Sequence, residues 1–103
     1  MEDLTITMKK FLAIAKFSWN DEMMELIPEH RKHIDSLIVE QVIDHYAVSM
    51  ELQTVWITMN AKTKVEIKRL LAPSPLVKYW KIQVSELMIW DGQNYRLPEV
   101  QLN

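Results

Sequence analysis

The chain has no cysteine and a single glycine in 103 residues. Without Cys there is no disulfide framework, no thiolate zinc site and no cysteine nucleophile. One Gly excludes phosphate-cradling loops, because the dinucleotide fingerprint and the P-loop each need at least two. Long hydrophobic runs are also missing: the longest, Phe11 to Ala15, is far too short to span a bilayer. Nor is there a basic surplus. Lys+Arg 12 against Asp+Glu 14 leaves a formal net charge of −2, whereas nucleic-acid domains concentrate positive charge on one face. The opening MEDLTITMKK has no apolar stretch before a small-residue cleavage site. These absences predict a cytoplasmic protein with no nucleic-acid and no membrane partner.

What is present is an ordinary globular composition, 49% hydrophobic and 25% charged. A disordered chain would have fewer apolar residues and a larger net charge. The length sets one domain over residues 1–103, with a core over about 9–90 and a C-terminal tail over 91–103. Residues 1–8 read as a loose leader.

KKFLAIAKF, Lys9 to Phe17, reads as a strand that is apolar on both alternating faces. Asn20 can cap a helix, with Asp21 and Glu22 in its first turn. Ile27, Ile34, Leu37 and Ile38 then recur at helical spacing, with His30 on the same stripe. Pro28 interrupts that pattern, so a short turn over 21–26 and a main helix from Pro28 to about Glu40 are expected. Val42 to Leu52 and Thr54 to Asn60 read as two strands joined by a Gly-free turn. Strict alternation puts Ile43, His45, Ala47 and Ser49 on one face of the first, and Asp44, Tyr46 and Val48 on the other. Thr63-Lys-Val-Glu66 is a capping box opening a helix over Lys64 to Leu71, which Pro73 and Pro75 end. Tyr79 to Trp90 reads as the last strand, and Asp91-Gly92 as a turn into a tail anchored by Leu97, Val100 and Leu102.

The order strand, helix, strand, strand, helix, strand is the ferredoxin-like βαββαβ arrangement of the α+β class. It predicts a four-stranded antiparallel sheet with two helices on one face. The strands nevertheless carry apolar residues on both faces. A second copy packed sheet against sheet is the economical cover, which predicts a homodimer.

KKFLAIAKF, the helix opening near Pro28, the strand pair and LLAPSPLVKYWKIQVSEL together resemble the muconolactone isomerase-like branch of the dimeric α+β barrel superfamily. The likeness covers roughly residues 9–90. Its most telling part is Leu70 to Leu87, a short helix ending in a Pro-containing "PL" segment before the last strand. The resemblance implies a homodimer or higher assembly, a small-molecule cleft between sheet and helix, and no metal or other cofactor. His33-Ile-Asp-Ser-Leu37 is also similar to the helical His-x-x-x-Leu stretch of YCII-related proteins, whose Gly-Pro segment has no counterpart here. No catalytic residue is carried over from either branch.

Candidate chemistry rests on a few side chains. His45 sits among apolar neighbours on its expected face and could act as a base, or be a satisfied core or interface histidine. Glu86 shares the parity of Ile82 and Val84 and could be an acid or base with a raised pKa, or a strand-end residue paired with a Lys. Tyr46, Trp56 and Trp80 could line a pocket for a flat organic ligand, or pack in a core or seam. His33 joins them as a ligand-binding candidate. His30 and His33 lie three apart beside Glu29, but a solvated helix face explains them better than a metal site. Ser18, Ser36, Ser49, Ser74 and Ser85 have no nucleophile-elbow context.

Two functions follow as expectations. One is a cofactor-free isomerase moving a proton on a lactone-like or apolar metabolite through His45 or Glu86; the resemblance also admits a cofactor-free oxygenase. The other is a non-catalytic dimeric module that binds a metabolite or a protein. A pocket containing His45 or Glu86 favours the first; both groups at the surface remove its basis.

Overall fold

The computed structural model describes residues 8–91. The expected leader, the Gly92 turn and the tail anchors lie outside the described residues. Alternating burial defines β1 (Lys9–Lys16): Phe11, Ala13 and Ala15 are buried, while Leu12 and Ile14 are half-buried on the other face. α1 (Asp21–Val39), β2 (Ile43–Ser49), β3 (Thr54–Ala61), α2 (Lys64–Leu71), a 3-10 turn (Val77–Tyr79) and β4 (Lys81–Leu87) follow. The strands form one antiparallel sheet in the order β2-β3-β1-β4. This is the ferredoxin-like α+β fold. One parity of the strands, from Phe11, Ile57, Met59 and Val84, joins Met23, Ile34, Leu37, Ile67 and Leu71 of the helices in a single core. Among the described residues no helix is long and apolar enough to cross a membrane.

Three expectations are corrected. α1 is one helix from Asp21, not a turn followed by a helix. Asn20 Oδ1 accepts from the Met23 amide at 3.0 Å, and buried Met23 anchors the first turn. Pro28 removes only the bond to the Met24 carbonyl, and both residues are on the exposed side, where water can replace it. β4 is shorter than the apolar pattern implies: Tyr79 ends the 3-10 turn and Trp80 caps it, so the strand starts at Lys81, and it stops at Leu87.

The third correction sets the site. Ile43 pairs with Met59, but the next pairing is His45 with Thr58, so Asp44 is an extra residue in β2. A bulge reverses the alternation beyond it. His45 therefore parts from Ile43 and turns to the helix-free face, while Tyr46 and Val48 turn toward the helices opposite Ile57 and Val55. The bulge is held from the helix-free side. Asp44 is ion-paired with Lys10 and accepts from Asn60 Nδ2 at 3.2 Å.

Helix ends are closed without glycine. At the end of α1, Val42 donates to the Leu37 carbonyl at 2.9 Å and Gln41 to that of Ile38 at 3.0 Å. This is a Schellman closure with Gln41 left-handed at φ 65°. At α2, Thr63 Oγ1 accepts from the Glu66 amide at 3.2 Å, as the capping box requires, but the Glu66 carboxylate reaches one residue further back, to the Lys62 amide at 2.7 Å.

Candidate functional site

A cavity of about 360 Å³ opens between α1 and the helix-facing side of β2 and β3. Helical spacing brings Met23, Ile27 and His30 of α1 to its roof; the bulge brings Tyr46 and Val48 to its floor. Trp19 from the turn before α1, and Leu76 and Trp80 from the segment between α2 and β4, close its walls. The lining is almost wholly apolar, the usual character of a small-molecule cleft. His30, Arg31 and Tyr46 are its titratable members, and no carboxylate is among the lining residues.

His30 is 2% exposed and bonded on both ring nitrogens. Nδ1 lies 2.6 Å from Ser74 Oγ and Nε2 lies 2.7 Å from Tyr46 Oη. Trp80 meets the imidazole edge-on at 5.4 Å. Burial, and then the charges of Arg31 and His33, hold the His30 pKa down at about 4, so the ring is neutral at pH 7. Burial pushes the Tyr46 pKa up to about 12 against the opposing pull of Arg31. The Arg31 guanidinium lies 5.5 Å from the centre of the Tyr46 ring and donates to Asp35 at 2.6 Å. Ser74 is placed by its backbone: its amide donates to the Leu71 carbonyl at 3.0 Å and its carbonyl accepts from Val77 at 3.3 Å.

Of the six residues singled out from the sequence, Tyr46 and Trp80 line this cavity. The other four lie elsewhere. His45 is exposed on the helix-free face, 3.3 Å from Thr58 Oγ1 and 5.6 Å from the Trp90 ring. Glu86 keeps the parity of Val84 but is exposed at the strand end, 3.8 Å from Lys9 of its own chain. Neither lines the cavity beneath α1. Trp56 is half-buried on the helix-free face, paired with Ile14 and Ala47. His33 faces α2, with Nε2 2.7 Å from the Leu70 carbonyl.

His30 and Ser74 are the residues that sequence reasoning passed over. The solvated helix face expected of the histidine pair holds for neither: His30 is buried in the core layer and His33 is half-buried between helices. The signal for His30 was its place on the apolar stripe with Ile27 and Ile34. Ser74 gave only its position between two prolines. Among the described residues no group of three or more His, Asp or Glu is placed to hold a metal ion. No known protein-family model matches the chain, and no curated protein matches it.

Proposed function

We propose that this protein binds a small, largely apolar organic molecule in the cavity beneath α1, with the His30–Tyr46 pair as its polar anchor. The observation that carries this is a neutral, doubly bonded, buried histidine in an almost wholly apolar cleft. A histidine that served packing alone would cost more than an apolar residue of similar size. The absence of a carboxylate from the lining favours binding over proton abstraction. In the catalytic version, a cofactor-free isomerase acting on a lactone-like molecule, Tyr46 is the group that touches substrate.

A ligand that binds only the native state stabilises it by about 2.7 kcal/mol at a hundredfold excess over Kd. A thermal-shift screen of one- and two-ring aromatics and lactones is therefore expected to give hits that raise the melting temperature. Ile27→Trp, which fills the cavity from its roof, should fold and lose the response. A full screen without a stabilising compound, or hits unaffected by Ile27→Trp, would sink the reading.

The second element of the proposal is assembly. Leu12, Ile14 and Trp56 form a half-buried apolar band on the helix-free face, flanked by exposed Ala47. A second copy of the chain packed on this band gives a homodimer with its two cavities on the outer sides.

A further inference from the structure

The hydrogen-bond chain through His30 has a direction, and the direction selects the ligand. Ser74 Oγ is in a site only 4% exposed and already accepts from the Leu76 amide at 3.1 Å. Among the described residues its one other partner is His30 Nδ1. If Nδ1 carried the ring proton, Ser74 would accept twice and its own proton would be left without an acceptor. A buried hydroxyl proton in that state is costly, and native interiors avoid it. The arrangement that strands no proton at the closed Ser74 end has its hydroxyl donating to a bare Nδ1, and leaves the one free hydroxyl proton on Tyr46, which lines the cavity. A neutral imidazole has one N–H, so it sits on Nε2 and donates to Tyr46 Oη.

Tyr46 thereby accepts from His30 and keeps its own proton. Among the described residues its hydroxyl has no second partner, and the cavity is beside it. We infer that Tyr46 is a hydrogen-bond donor aimed into the cavity, and that the natural ligand is an apolar carbonyl compound — a ketone, ester or quinone — whose oxygen accepts from it. Arg31, lining the same cavity beside the Tyr46 ring, adds positive potential where that oxygen would carry partial negative charge. Each link is a donor passing to an acceptor, so the chain polarises the Tyr46 hydroxyl in one sense. Ser74 is a positioning residue: it acts on the ligand only through His30. The inference rests on the cavity being a binding site, as proposed above, but the tautomer can be read without any ligand.

The first experiment is long-range proton–nitrogen NMR of the ¹⁵N-labelled full chain at pH 7, with the His30 signals assigned by comparison with His30→Asn. A protonated Nε2 and a bare Nδ1 are expected; the reverse tautomer overturns the inference. The second compares two probes of nearly equal shape, indane and 1-indanone, by calorimetric titration. One neutral hydrogen bond predicts roughly five- to tenfold tighter binding of 1-indanone. In Tyr46→Phe the ratio should fall to about one while indane still binds. In Ser74→Ala the imidazole is free to take the other tautomer and accept from Tyr46, so the ratio should also shrink. Equal binding of both probes to the native protein overturns the donor inference and leaves the cavity reading standing. Binding of neither overturns both.

Discussion

Two glutamines stand where a chain richer in glycine would place it. Gln41 at φ 65° closes α1, and Gln53 at φ 48° closes the β2–β3 hairpin. A side chain in the left-handed region costs about 1 kcal/mol or more. Gln41→Gly should therefore stabilise the protein by about 0.5–1 kcal/mol in urea denaturation. Gln53→Gly should not, because the Gln53 side chain accepts from the Trp19 amide at 2.7 Å and would be lost. His30 gives the pH prediction. Its pKa is about 4 when folded, against 6.5 in the unfolded chain. The unfolded state thus takes up the proton first as pH falls, and stability drops between about 6.5 and 4. On the order of 2–3 kcal/mol should be lost across that window, and His30→Gln should flatten it. At this scale the sequence was half legible: His30 could be placed on an apolar stripe, but its partners come from 16 and 44 residues away and no local pattern announces them.

Elements were read best where local chemistry decides them. Thr63 and Glu66 announced α2, and its observed span is the expected one, since a cap is a short-range interaction. Thr63→Ala should cost about 1 kcal/mol, measured by chemical denaturation. Pro28 misled because propensity is local while anchoring is not. Met23 on one side and His30 and Ile34 on the other are fixed by the core, and they carry the helix through the proline. Pro28→Ala should restore the missing bond to Met24 and stabilise the fold by about 1–3 kcal/mol. A loss of stability in that variant would mean that the helix path over the cavity depends on the proline.

For the whole molecule, element order alone was enough to give the ferredoxin-like arrangement, and strand parity was enough to divide core from open face in β1 and β3. It failed in β2, where one extra residue changes the answer for every residue after it. The apolar share of the chain is divided between two layers, a closed core and the half-buried band around Trp56. If that band is a homodimer seam, light scattering at micromolar concentration should report twice the chain mass, and Trp56→Lys should return the single-chain mass without unfolding the protein. A single-chain mass for the native protein would refute the seam and leave the cavity untouched.

The bulge at Asp44 means that this strand should tolerate the loss of a residue at that one position. Removing Asp44 altogether would join Ile43 directly to His45, and the ladder opposite Met59, Thr58 and Ile57 would then run without a break. Tyr46 would still meet His30. The shortened chain should keep its cavity and forfeit only the tether to Lys10 and Asn60, whereas an insertion of one further residue beside Asp44 would turn Tyr46 outward and empty the floor of the site. The protein thus holds its chemistry in phase by counting residues, and a one-residue deletion, ordinarily the harsher genetic event, is here the milder one.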